Sequence, residues 1–563
     1  MPLETLELSQ IAQRWDDGVS FKTTLNLYDT AAVNENFFIG RQWEGVDAEG
    51  LPTPVFNLLK RVVLFLISSL RSDSIAVQAT PLDAIGAIPE QAARLMSDVI
   101  GDTIDAIFER TKFETTITQF LRNAAVRGDG ALYLWWDAAA KTGQREPGDV
   151  AIENILNTRV HFGNPTSSDV SRQPWIIIES REQVEDVRRR AAQWGGDPDG
   201  ITQDNETQDV PDQVERADTD RVTVLLHLRR DPESGRIFAA ECTGTAWIRP
   251  EWDTALTRYP VVWMPWDEIN EVQHGQAAVT GLIPNQIFIN KLFAMSMISL
   301  MTTAYPKVVY NGTLVRDGWD NRVGAAIKVT GAASDDMASV ARVIEGRGLP
   351  PQVHEYIDAA INYTRDFMGA PDAALGNVRP ENTSAIIAVQ RAASVPLELT
   401  RQRLYQAVED LALLLIDFMG AYYGARYVTL EQSGWDGGKV RQQVVFDYSQ
   451  LQALGFTLQI DVGPAAYWSE LSRMTTLDNL FSNGSLELVD YLERLPDGYL
   501  PQRQELIDSI KSKIQMAQMG AAPVAGPGTG GAPPTPPGGL VPTPEMPGQM
   551  QTPEQYVNRL TMQ

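Results

Sequence analysis

The stretch "PNQIFINKLFAMSMISLMTTAYP", residues 284–306, decides how the chain is read. Two prolines bracket it, and Lys291 is its sole charge. Pro284 suits the first turn of a helix, where its missing N–H is no loss, and Pro306 stops that helix after Ala304. At 1.5 Å per residue the run extends about 30 Å. The wider, nearly uncharged segment from Val272 to Pro306 raises the question of a membrane span, which takes about 20 predominantly apolar residues. Pro284, Asn285, Gln286 and Asn290 interrupt its apolar character, so a helix buried between protein neighbours is the better reading.

Downstream, residues 307–336 read as a small β-rich insert with turn signals at Asn311-Gly312 and Asp317-Gly318. A second helix returns at Val353, with Ile357, Ile361, Thr364 and Met368 on one stripe and Gly369 at its end. Two helices therefore flank one compact insert. A Gly, Asn and Pro loop follows from Ala370 to about Glu381, an exposed tip of the kind that carries function. Asn382, Thr383 and Ser384 supply oxygens able to cap the next helix. That helix keeps its spacing through Leu397, Leu404, Val408, Leu411, Leu415 and Phe418, with a kink expected at Pro396.

Upstream, the section to about residue 135 reads mostly as helices, closed by Gly128 and Gly130 in a tight helix-to-strand turn. "ALYLWWD", "WIIIES", "RVTVLLHLRR" and "RYPVVWMPWDEI" then follow strand grammar. The acidic segment 195–220 lacks the ligand spacing of an EF-hand and reads as a solvated or disordered loop. After Gly424 come "QVVFDYS" and "FTLQIDVG", also strand-like, then helices from Trp468 to about Gln518. The Pro- and Gly-rich tail cannot bury a core and is expected to be disordered.

The chain has 563 residues, 43% hydrophobic and 21% charged, a balance that excludes disorder throughout. Its formal charge of −25 argues against a surface that grips DNA, since that requires clustered Lys and Arg. A single cysteine, Cys242, excludes a disulfide framework and a Cys-based zinc site, and its expected place is a strand. The first residues lack a basic segment followed by an apolar one, so no secretory signal is expected.

A search for chemistry finds no P-loop, no HExxH and no GxSxG elbow. His161, His227, His274 and His354 fall in different elements, and the numerous tryptophans are not interleaved with basic residues as a base-stacking surface would be. No catalytic, cofactor-binding or metal-ligating set emerges, so neither a cofactor nor a metal is expected.

"NENFFIGRQW", "NAAVRGDGALYLWWD", "RVHFGNPTSSDVSRQPWIIIESR", "DFMGAPDAALGNVRPENTSAIIAVQRAASVPLEL" and "DVGPAAYWSELSRMTTLDNLFSNGSLELVDYLERLP" occur in order from about Asn34 to Pro496. Together they resemble the portal proteins of tailed bacteriophages, the head-tail connectors through which the genome is packaged and ejected. No single segment is as specific as a metal motif; their ordered recurrence carries the resemblance. It implies an α+β subunit of several parts: a wing (1–275, helical then stranded), a first stem helix (276–304), a small β-rich clip (305–350) and a second stem helix (351–369). A tunnel loop (370–381), a kinked tunnel helix (382–424), further wing strands (425–467), crown helices (468–519) and the disordered tail (520–563) complete it.

The resemblance further implies a ring of twelve copies at the capsid vertex of the virion, assembled in the host cytoplasm. The expected partners are the terminase motor, the neck proteins, the major capsid and scaffolding proteins, and double-stranded DNA passing without sequence specificity; no membrane is involved. Asn377, Arg379, Glu381 and Asn382 are then the candidates for facing DNA, with pairing of Arg379 and Glu381 to neighbouring subunits an equal alternative. Asn311, Arg316, Asp317, Trp319, Asp320 and Arg322 are candidates for motor and neck docking, and Ile357, Ile361 and Met368 for stem packing. The competing class is an enzyme of the packaging machinery, a terminase-like ATPase or nuclease, which would need a nucleotide or metal motif that the sequence lacks. A smaller ring-forming adaptor shares the first class but would normally be a much shorter chain.

Overall fold

The computed structural model describes residues 6–48, 51–71, 74–81, 89–204, 220–304, 307–311, 313, 315, 318, 341–344, 352–367, 397–433, 439–454, 456–463, 477–483, 486, 488–494, 506–507 and 509–511. They form a mixed α+β fold in two compact units, 1–471 and 472–563.

The first unit opens with three helices, α1 (Leu8–Thr24), α2 (Leu27–Ile39) and α3 (Leu58–Leu70). Gly40 ends α2 in the left-handed region, and the Asn57 side chain caps α3 by accepting from the Lys60 amide. Strand β1 (Ser74–Pro81) then interrupts what reads as a helical section, before α4 (Glu90–Arg110) and α5 (Phe113–Arg127). Helix α5 stops at Gly128, whose φ of +104° suits glycine. A Cβ there would also lie 2.5 Å from the Gly275 carbonyl oxygen, so the expected helix-to-strand turn is held to glycine twice over.

Each of the four predicted runs of the middle section becomes a strand, and four strands that were not predicted join them. They are β2 (Asp129–Asp137), β3 (Asp149–Ile155), β4 (Val160–Phe162), β5 (Trp175–Gln183), β6 (Arg221–Arg230), β7 (Ile237–Cys242), β8 (Trp247–Asp253) and β9 (Val261–Pro265), with α6 (Val184–Trp194) between β5 and β6. They build two antiparallel sheets, β3-β2-β9 and β4-β5-β6-β7-β8. Cys242 is buried at the end of β7, where burial and then the neighbouring Glu241 push its thiol up to about 12, far from nucleophilic use. Of the acidic segment, Asp204 accepts from the Thr223 amide and pairs with Arg181, which anchors its start to β5 and β6; residues 205–219 lie outside the described residues.

Helix α7 (Ala278–Ala304) begins earlier than the sequence suggests, so Pro284 sits inside it rather than in its first turn. The reason is packing. Ala278, Val279 and Leu282 are buried in the main core, which offsets the one hydrogen bond that Pro284 cannot donate, and the proline itself is exposed. Strands β10 (Lys307–Tyr310) and β11 (Ala341–Ile344) then pair antiparallel, Lys307 opposite Ile344, and α8 (Gln352–Phe367) follows. Helix α9 (Glu398–Phe418) continues through a wider π turn, Met419–Tyr423, and ends at Gly424 as expected. Residues 382–396, with the expected kink at Pro396, lie outside the described residues.

Strands β12 (Ala425–Ser433) and β13 (Lys439–Asp447) pair with each other, and β14 (Phe456–Gly463) pairs antiparallel with β1, Ser74 opposite Gly463. One continuous core runs from α2–α5 through β2 and β9 to α9. Asp417 of α9 ties that helix to the loop before β9 by accepting from the Thr257 and Arg258 amides at 2.8 and 3.0 Å.

In the second unit the structure describes short helical pieces. Leu492 and Ile507 form a small core with Val489, Tyr491 and Ile510, and Tyr491 donates to Asp478 at 2.6 Å. The tail, 520–563, lies outside the described residues.

Candidate functional site

The polar residues that interrupt the apolar run of α7 are buried and joined in a chain. Gln286 accepts from the Leu59 amide (3.1 Å) and donates to the Phe56 carbonyl (2.8 Å) and to Asn290 Oδ1 (2.9 Å). Asn290 in turn donates to Gln42 Oε1 at 2.7 Å. Near the helix start, Asn34 of α2 donates to Thr280 at 2.9 Å. Such satisfied amides fix α7 in one register on α2 and α3, since a shifted helix would leave them buried and unpaired.

Beyond Ala294 the helix outgrows that support. Met295, Met297, Leu300 and Met301 are exposed in the single chain, Leu300 at 68%. Helix α8 packs alongside α7. Ile357 and Thr364 are buried and Ile361 is half-buried, so the stripe expected from their spacing faces inward. An adjacent flank of α8 shows Tyr356 and Tyr363, 65% and 62% exposed. Sequence reasoning missed these tyrosines and the methionines. Their seven-residue spacing on α8 was the available signal, but it reads equally as core until the helix has a place.

The β10–β11 pair brings the ends of the insert together at the tip of the two helices. Asn311 is exposed there; its side chain accepts from the Thr313 amide and its carbonyl from the Val315 amide, both at 3.0 Å, a turn as its Asn-Gly sequence suggests. Arg316, Asp317, Trp319, Asp320 and Arg322 lie outside the described residues. So do Met368 and the loop residues Asn377, Arg379, Glu381 and Asn382.

The three histidines whose side chains are described are structural rather than convergent. His274 bonds Asp129, His161 lies 3.5 Å from Glu179, and Arg14 lies 2.8 Å from His227 Nε2. Among the described residues no group of His, Cys, Asp and Glu could hold a metal ion. A cavity of about 360 Å³ beside β9 and α9 is lined by Arg230, Arg258 and Arg403 against Asp169, Glu268 and Asp410, a balanced set of charges, and no histidine lines it to activate the Ser168 or Ser171 hydroxyl. Among the described residues no helix is long and apolar enough to cross a membrane.

The family model of the phage P22-like portal protein matches residues 13–241 and 176–465, which together span most of the chain, including α7 and α8. The chain belongs to this family. No curated protein matches it. A portal subunit is structural, not catalytic, and membership implies an oligomeric ring in the virion with capsid and DNA as partners.

Proposed function

We propose that the chain closes into a ring at the capsid vertex and forms the channel for genome packaging, retention and ejection. In this reading α7 and α8 are the stem, residues 305–350 the clip and the sheets with their flanking helices the wing. Residues 370–381 form the tunnel loop, 382–424 the tunnel helix and 468–519 the crown. The clip docks the terminase motor during packaging and neck proteins afterwards; capsid and scaffolding proteins surround the wing; the ring number, twelve, comes from the family resemblance.

The observation that carries the reading is the apolar surface on the part of α7 that leaves the body. Exposed methionine and leucine on all sides of a helix call for protein neighbours, and a heterologous contact repeated around an axis supplies them. The charge fits the channel. At −25 per subunit, a ring repels a duplex that carries about one negative charge per 1.7 Å, so DNA slides rather than sticks. Arg379 beside Glu381 in the tunnel loop gives a mixed set that touches phosphates without holding them.

Negative-stain microscopy of the purified protein tests this directly. Rings with a central hole are expected; a compact monomer with ATPase or nuclease activity would overturn the reading in favour of a packaging enzyme.

A further inference from the structure

The segment between α2 and α3, described over residues 40–48 and 51–57, is pinned at its base. Asn57 Nδ2 donates to the Phe38 carbonyl and Trp43 Nε1 to the Pro54 carbonyl, both at 3.0 Å. A loop closed in this way holds its outer side chains in place. Those side chains are apolar: Val46, Leu51, Val55 and Phe56 are all exposed, Leu51 at 56%. A pinned loop cannot turn them inward, so they require a cover from outside.

The loop sits on one flank of α7. Gln286 donates to the Phe56 carbonyl, and the rings of Phe56 and Phe293 lie 4.1 Å apart. Phe288 is two residues past Gln286, about 200° further round a helix of 3.6 residues per turn. Pro284, Phe288, Lys291 and Met295 recur at spacings of three and four and are all exposed, which makes them a stripe on the opposite flank. Phe288 and Met295 give the stripe its apolar character and Lys291 its one charge. The exposed charged residues described in the loop are Arg41, Glu44 and Asp47, which leave it one net negative charge.

We infer that loop 40–57 of one copy docks on the Pro284–Met295 stripe of α7 in the next copy round the ring. The occupant is a second copy of this chain because the two surfaces lie on opposite flanks of one helix and are complementary in charge. A head-to-tail contact between two different surfaces is what ring closure requires, whereas a loop-to-loop contact would leave the stripe uncovered. The inference rests on the ring reading given above and names the lateral contact within it.

The test uses the full chain with Leu51→Cys on the loop and Met295→Cys on the stripe, alone and together, treated with a short bismaleimide. Cys242 is buried and contributes little background; the parent protein serves as control. Each maleimide takes up one thiol, so the double variant should give a ladder of trimers and larger species on a denaturing gel, while each single variant stays monomeric. Dimers from Leu51→Cys alone would mean a loop-to-loop contact and overturn the inference. So would the absence of a ladder from preparations that microscopy shows to be rings, which leaves the ring reading intact. A parent protein that forms no rings overturns both. As a second measurement, Leu51→Asp and Phe288→Asp should each abolish rings at an unchanged melting temperature, and a mixture of the two should stop at dimers, since each pair keeps one intact contact. Rings from either variant alone would also overturn the inference.

Discussion

His274 Nδ1 lies 2.9 Å from Oδ2 of Asp129, a carboxylate with no exposure to solvent and 145 residues away in the chain. Asp129 also accepts from the Asn157 side chain at 3.0 Å and from the Gly275 amide at 2.7 Å. The aspartate of the Gly-Asp-Gly turn thus joins the end of α5, the segment before β4 and the lead-in to α7. It is the point at which the sheet β3-β2-β9 holds the lead-in to α7.

Asp129→Ala should therefore be strongly destabilising. It removes the acceptor of buried His274, one of the two acceptors of the buried Asn157 amide and the acceptor of the half-buried Gly275 N–H, and a buried donor left unpaired costs about 1–3 kcal/mol. A loss of roughly 3 kcal/mol or more is expected in denaturant titration. A change below about 1 kcal/mol would show that water or another group replaces the carboxylate.

The docking of α1 should weaken in acid. His161 and His227 are lowered to about 4 and about 3, in both cases chiefly by burial, then by Lys22 for His161 and by Arg14 and Arg229 for His227. Glu179 faces His161 and opposes the shift. Both folded values lie below the unfolded value of about 6.5, so the unfolded chain binds more protons as pH falls. Their contribution is whole above about pH 6.5 and is lost toward pH 4, by about 1.4 kcal/mol per histidine per pH unit. Melting temperature against pH should show this acid limb, and His161→Gln with His227→Gln should flatten it. An unchanged limb in the double variant would assign acid sensitivity to the carboxylates instead.

Helix α8 separates subunit stability from assembly. Ile357→Asp places a charge at a buried position and should cost several kcal/mol in the subunit itself. Ile361→Asp, at a half-buried position, should cost less. Tyr356→Ser with Tyr363→Ser removes two largely exposed rings, and should cost the subunit much less than Ile357→Asp while lowering ring yield. Full ring yield from the tyrosine variant would remove that face from the interface.

In the proposed tunnel loop, Arg379→Ala and Glu381→Ala should leave ring formation and melting almost unaltered, because exposed charges contribute about 0–1 kcal/mol. Their effect should appear in the DNA content of assembled particles. Normal DNA content in well-formed particles would deny the loop its role, and failure of rings would place these residues between subunits.

The sequence alone determined the order and kind of most elements and the family. Strand β6 coincides with "RVTVLLHLRR", the turn after α5 with Gly128, and α7 and α8 flank the segment between them as the apolar spacing requires. These features are local: side-chain periodicity and turn chemistry are fixed within a few residues. The tertiary structure decided what depends on distant neighbours. Strand β1 exists because β14 lies beside it, Pro284 lies within α7 because the core holds the turn before it, and Asp129 becomes a buried junction only when His274 and Asn157 close round it. Which apolar residues of α7 are core and which are surface was likewise unreadable from spacing, because burial depends on where the body ends, after Ala294, and not on the helix itself.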